Sequence, residues 1–118
     1  MWILRMNMND RSCKLEDLPE QYKFLAGRGL TSTLVHDEVP AACHPLGPNN
    51  KLVFSPGMVT GTVAPTSARI SVGAKSPLTG TIKESNAGGT AAQLLARAGC
   101  KAMIIEGLPK EDNGTAWL

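Results

Sequence analysis

The stretch SPGMVTGTVAPTSARISVGAKSPLTGTIKESNAGG, residues 55–89, decides how the chain reads. It gathers Gly57, Gly61, Gly73, Gly80, Gly88 and Gly89 with Pro56, Pro65 and Pro77, and Ser and Thr fill most of the gaps. Glycine lets a backbone approach a ligand or take φ > 0, and proline fixes the neighbouring turns. Arg69 is the only Arg or Lys between Lys51 and Lys75, and it opens a short alternating run, Arg69-Ile70-Ser71-Val72. Asn86-Ala87-Gly88-Gly89 closes a second short strand just before a helical pattern. One cation, a turn rich in free N–H groups and a helix N-terminus together suit a phosphate-bearing ligand. Without any such ligand, the same residues read as hairpin turns with Arg69 as a surface side chain at a strand edge.

Working outward, residues 51–55 (KLVFS) form a short apolar run between turn signals, hence a buried strand. On the other side, residues 90–98 (TAAQLLARA) predict a helix, with Gly99 where a C′ glycine belongs. Residues 101–106 (KAMIIE) read as another buried strand. Residues 2–8 alternate loosely and residues 13–18 return, so an N-terminal hairpin is expected around Asn9-Asp10-Arg11. Pro19-Glu20 reads as a helix start. Tyr22, Leu25 and Leu30 supply its face, with a break or cap at Gly27-Arg28-Gly29 and a second helical piece over residues 30–36. Residues 37–50, with Pro40, Pro45, Gly47 and Pro48, read as a long surface loop. Residues 108–114 read as a polar turn, which makes the Asn113-Gly114-Thr115 sequon part of a turn, and a last strand begins at Thr115. The expected fold is α+β, short mixed strands forming one sheet with two main helical segments.

The chain has 118 residues, 42% hydrophobic and 19% charged, which is a globular composition of one domain or part of one. A net charge of +2 and only 4% aromatic residues give no pattern of basic and stacking side chains, so no nucleic-acid partner is expected. No apolar run approaches membrane-spanning length, and Arg5 and Asp10 interrupt the start against a signal peptide. Cys13, Cys43 and Cys100 are widely spaced, without a CxxC for zinc or an iron–sulfur cluster. Unpaired thiols place the protein in a reducing cytoplasm. His36 and His44 lack metal-ligand spacing, and Cys43-His44 lacks a third group to make a nucleophile–base dyad. Lys75 reads as a solvated turn residue, and Arg28 as a structural residue bonding carbonyls at a helix end.

Further motifs run in order along nearly the whole chain: Phe24-Leu25-Ala26-Gly27-Arg28-Gly29-Leu30, Asp37-Glu38-Val39-Pro40, Pro45-Leu46-Gly47-Pro48 and Asn50-Lys51-Leu52. Thr60-Gly61-Thr62, Ala64-Pro65-Thr66, Arg69, Lys75-Ser76-Pro77-Leu78-Thr79-Gly80, Asn86, Gly88-Gly89, Ala98-Gly99 and Ile104-Ile105-Glu106-Gly107 follow. In these motifs the chain resembles the N-terminal part of the aldehyde:ferredoxin oxidoreductase family, the tungsten-pterin enzymes. The resemblance implies that residues 1–118 are an incomplete N-terminal domain, the first half of the base beneath a tungsten (or molybdenum) bis(pterin) cofactor. It implies that Arg69 contacts a cofactor phosphate and that Gly88 offers backbone to the pterin. Asn86 would bind the cofactor and help hold, through its backbone carbonyl, the magnesium ion bridging the phosphates. The implied enzyme oxidises aldehydes to carboxylic acids and passes electrons through a 4Fe–4S cluster to ferredoxin. The cluster's ligands and the second half of the base lie outside this chain, so the chain alone is expected to be inactive. Met58-Val59 stands where the family has Pro-Leu, and Thr90-Ala91 where it has aromatic residues. Two other readings stay open: a non-catalytic structural or interaction module, and a small phosphate-ligand binding protein.

Overall fold

A computed structural model describes residues 1–109. A single six-stranded sheet carries the fold, made of β1 (Trp2–Asn7), β2 (Ser12–Asp17), β3 (Lys51–Pro56), β4 (Arg69–Lys75), β5 (Ile82–Gly88) and β6 (Cys100–Glu106). Their order is β2-β1-β6-β3-β4-β5. β1 and β6 run parallel and every other neighbouring pair is antiparallel, so the sheet is mixed, as expected. Two helices join it, α1 (Gly27–Glu38) and α2 (Thr90–Arg97). The expected last strand and the sequon lie outside the described residues.

Side chains of paired residues share a face and alternate along each strand. Ile3, Val53, Ala102 and Ile104 therefore point one way, and with Leu30, Leu34 and Val35 of α1 they make the core. Gly73 lies on that same face. A methyl group built there would stand 2.9 Å from Cβ of Thr31, so only glycine lets α1 approach β4 this closely. α2 covers the other face only at one end, where Pro56 and Cys100 are buried. Gly99, at φ 84°, closes α2 where the sequence places its C′ glycine.

The helical reading of residues 19–36 needs correction. Pro19-Glu20 opens only a 3-10 turn, Glu20–Tyr22. The Gly-Arg-Gly segment starts α1 instead of breaking a helix, because the Gly27 N–H donates to Ser55 Oγ of β3 at 3.1 Å. Ser55 thus caps a helix 28 residues away from it. The helix also runs past His36, to Glu38. Val39 N–H still bonds the Val35 carbonyl at 3.0 Å, and Pro40 then forces Val39 into extended backbone.

Glu38 ends α1 with its charge at the unfavourable pole of the helix dipole. Two cations compensate. Arg5 grips it with both terminal nitrogens (2.9 and 3.1 Å), and Lys51 Nζ reaches it at 2.7 Å. Glu106 bonds both cations, at 3.1 Å to Arg5 and 2.9 Å to Lys51, and Glu16 faces the Arg5 Nε at 3.2 Å. Burial opposes the ionised form of Glu38, but the hydrogen bonds from Arg5 and Lys51 outweigh it and hold the carboxyl below its ordinary 4.5. Because the folded value is the lower one, the stabilisation is complete above pH 4.5 and is lost as the pH falls through the folded value.

Replacing Glu38 by Gln should therefore lower stability at pH 7 by about 1–3 kcal/mol, between the surface and buried limits for ion pairs. Denaturant melts across pH 3–7 should show the gap to the wild type closing below about pH 4.5. A gap of constant size would refute this assignment.

Candidate functional site

β4 and β5 form an antiparallel hairpin in which Arg69 lies opposite Gly88 and Ser71 opposite Asn86. Arg69, Asn86 and Gly88 thus come together on one face at one corner of the sheet. The Arg69 Nε donates to Asn86 Oδ1 at 2.7 Å. Its terminal nitrogens have no other hydrogen-bond partner among the described residues. A methyl group on Gly88 would sit 3.6 Å from Nη1 of Arg69, against the flank of the guanidinium. Glycine leaves that flank open.

The backbone at this corner is open as well, because β5 is the edge strand. Ser76 N–H bonds the Thr81 carbonyl at 2.8 Å, and Gly89 N–H bonds the Ala68 carbonyl at 3.1 Å. These bonds turn the peptide groups of the odd-numbered residues of the strand toward β4. The N–H and C=O groups of Glu84, Asn86 and Gly88 then face away from the sheet. α2 begins directly after Gly89, and no side chain caps its first turn.

Behind the corner lies a relay of polar groups that the local sequence pattern does not announce. Ser71 donates to Glu84 Oε1 at 2.5 Å, and Arg28 Nε reaches Glu84 Oε2 at 3.2 Å. Asn86 Nδ2 faces Glu84 Oε1 at 3.5 Å, and Ser71 shares a buried hydrogen bond of 3.3 Å with Thr31 of α1. The Ser71 hydroxyl, with the Arg28 charge behind it, holds the Glu84 carboxyl below its usual range. The signal available in the sequence is the two-residue spacing of 69-71-73 and 84-86-88, which puts these residues on one face. The loop after β3 supports the same corner. Gly57 N–H bonds the Arg69 carbonyl at 3.1 Å, and Thr60 Oγ1 donates to the Ser67 carbonyl at 2.5 Å.

Other expectations change. Arg28 sits in the first turn of α1, where N–H groups and not carbonyls lack partners, so it caps no carbonyl and pairs with Glu84 instead. Lys75 is not a solvated turn residue: its ammonium donates to the carbonyls of Ala41 and Cys43, both at 2.6 Å, and ties down the long loop. His36 Nδ1 lies 3.0 Å from the Asp37 carboxylate, and His44 Nδ1 accepts the Leu46 N–H at 3.2 Å within a turn. The thiols of Cys13, Cys43 and Cys100 are free. No helix among the described residues is long and apolar enough to cross a membrane.

The family model for the aldehyde ferredoxin oxidoreductase N-terminal domain matches residues 3–115. The tungsten-containing aldehyde ferredoxin oxidoreductase of Thermococcus kodakarensis is 42% identical over 107 residues, 89% of this chain and 18% of that protein. The enzymes of the same description from Pyrococcus furiosus and Pyrococcus abyssi are 41% and 43% identical over the same shares. Among solved structures, the active-site complex BamBC of benzoyl coenzyme A reductase with 1,5-dienoyl-CoA matches with a TM-score of 0.87 at 28% identity, over 93% of this chain and 17% of that one. The chain spans about 18% of the length of the curated relatives it matches.

The relay predicts an order of stabilities. Glu84→Gln keeps an oxygen for Ser71 but weakens the bond to Arg28, whereas Glu84→Ala also removes one acceptor from the buried Ser71 hydroxyl. Melting temperatures should fall in the order wild type, Gln, Ala. An Ala variant as stable as the wild type would remove Glu84 from the relay.

Proposed function

Because the chain belongs to the aldehyde ferredoxin oxidoreductase N-terminal domain family, we propose that it forms the first half of the base for a tungsten-bis(pterin) cofactor. The whole enzyme, on this reading, oxidises an aldehyde to a carboxylic acid and passes the electrons through a 4Fe–4S cluster to ferredoxin. The observation that carries the proposal is the meeting of Arg69, Asn86 and Gly88 at one open corner.

The residues at that corner fit the group. A guanidinium with unused terminal donors suits a phosphate. Gly88 and Gly89 bring bare peptide toward a planar ring. The outward peptide of Asn86 presents a carbonyl oxygen, the hard ligand that magnesium prefers. Among the described residues no group of His, Cys, Asp or Glu is arranged to hold a metal, and the dithiolene sulfurs of the cofactor would themselves carry the tungsten. When bound, the cofactor supplies the two-electron oxidation. The chain's own share is to bind and orient: Arg69 on a phosphate, Asn86 steadied by Arg69 and Glu84, and Gly88 leaving room. Free thiols in all three cysteines agree with a cytoplasmic location.

The remainder of the enzyme would also cover the second face of the sheet. Leu15, Leu4, Met103, Phe54 and Val72 stand side by side across five strands on that face. Leu15 is 67% exposed, and the other four are only half-buried. We read this row as the seat of the missing part of the base. The chain by itself should therefore self-associate at micromolar concentration, which sedimentation velocity would show. A monodisperse monomer that unfolds cooperatively would count against an incomplete base.

For the cofactor, Arg69→Ala should lower affinity about tenfold to a hundredfold, the loss of one charge-assisted contact of about 1.5–3 kcal/mol. Arg69→Lys should recover part of this, since an ammonium cannot reproduce the guanidinium fork. Tungsten and pterin content of the reconstituted complex, measured beside its melting temperature, tests both. Full cofactor content in Arg69→Ala at unchanged stability would remove Arg69 from the site.

A further inference from the structure

Lys101 stands at the start of β6 and is only 6% exposed. Its carbonyl accepts the Ser55 hydroxyl at 2.9 Å, which fixes the backbone. The residue borders two cavities at once. One, about 190 Å³, is bordered by Gly57, Thr60, Gly61 and Thr62. The other, about 510 Å³, is bordered by Leu18, Phe24 and Lys23, and Met1 and Met58 belong to both. Among the described residues the ammonium has one hydrogen-bond partner, the Met58 thioether at 3.5 Å.

This is an unusual place for a charge. A thioether is a weak acceptor, and an ammonium carries three donors. A lysine stem is long enough to carry its charge to water, and most lysines do so. Here no oxygen is offered in compensation. The Thr60 and Thr62 hydroxyls donate to the Ser67 and Val59 carbonyls. The carboxylate bordering the larger cavity, Glu20, is 88% exposed and lies 3.7 Å from Lys23. Burial alone lowers the Lys101 pKa. Burying a lysine stem while its ammonium finds no oxygen partner is costly, and an incoming oxyanion lowers that cost.

We propose that Lys101 is the anion-binding group of a second ligand site, one that takes the oxyanion of a small acid whose apolar body lies in the larger cavity against Leu18, Phe24 and Met58. None of Arg69, Asn86 and Gly88 borders either cavity. Gly57 and Thr60, on the border of the smaller cavity, bond the Arg69 carbonyl, so the two sites adjoin through backbone, but the corner's own side chains lie outside this one and the proposal does not rest on that reading. It also gives a use to Met58, one of the places where the chain leaves the family's pattern.

The test follows the Lys101 side chain by NMR in the full chain labelled with 13C-lysine, under conditions where sedimentation velocity shows a single species with and without probe, with Lys101→Met identifying the resonance. Acetate, hexanoate and inorganic phosphate are the probes. Hexanoate should give a saturable shift of the Lys101 signal, bind at least about tenfold tighter than acetate through its extra methylenes, and raise the amine's titration midpoint. Lys101→Met fills the same space without charge, so it should fold at least as stably as the wild type and lose all thermal stabilisation by hexanoate. Arg69→Ala should keep the full hexanoate response, which separates this site from the cofactor corner. The proposal fails if no probe shifts Lys101 saturably, or if hexanoate stabilises Lys101→Met as well as it does the wild type. Acetate or phosphate binding as tightly as hexanoate would equally overturn it, by removing the apolar half of the site.

Discussion

The close seating of α1 on β4 is the constraint on which the other features hang. Thr31 can rest against the strand only because residue 73 has no side chain, and the buried bond between Thr31 and Ser71 fixes the helix along its length as well as its height. Leu30 and Leu34 then reach Val53 and Ile104. Both ends of the helix inherit their positions from this contact. The first turn delivers Arg28 to Glu84, at the corner where Arg69 and Asn86 meet. The last turn delivers Glu38 to Arg5 and Lys51, which belong to two different strands. A single tight helix–strand contact thus sets two polar assemblies at opposite ends of the sheet.

Much of this architecture was legible in the sequence where the signal is local. The apolar runs of β3 and β6 and the alanine-rich pattern of α2 carry their structure in neighbouring residues. The gathering of Arg69, Asn86 and Gly88 was also within reach, since two strands joined by one tight turn must pair, and pairing brings their far ends together. The start of α1 was not. Gly-Arg-Gly has the composition of a break, and what makes it a beginning is a serine hydroxyl from β3. Lys75 was misread for the same reason, because its partners are carbonyls of a loop more than thirty residues earlier in the chain. Lys101 sits in a run whose pattern says only that it is buried, and no local pattern reveals what a buried side chain faces. Contacts between distant segments, and the partners of buried polar groups, lie beyond periodicity.

The two faces of the sheet differ in kind. One is closed by α1 and a connected core. The other carries a continuous apolar row from Leu15 to Val72, and α2 covers that face only at the strand ends near Pro56 and Cys100. A sheet buried on one side only would normally show polar residues on the other. Leu4, Met103, Phe54 and Val72 on that face are instead only half-buried.

The outward peptides of β5 bear on how the chain can change over evolutionary time. Their direction is set by strand parity, which the hairpin fixes through the number of residues between Lys75 and Ile82. Inserting or deleting one residue there would turn the peptides of Asn86 and Gly88 into the sheet and those of Ser85 and Ala87 outward, and would move every β5 side chain to the opposite face. The hairpin is therefore intolerant of odd length changes. The proline-rich loop between α1 and β3 sets no such parity, and its length is limited instead by the contacts that hold it, Lys75 on the carbonyls of Ala41 and Cys43, Asn50 on that of Pro45, and Cys43 against the core. Divergence in this fold should accumulate as insertions on the loop side and as substitutions alone on the hairpin side.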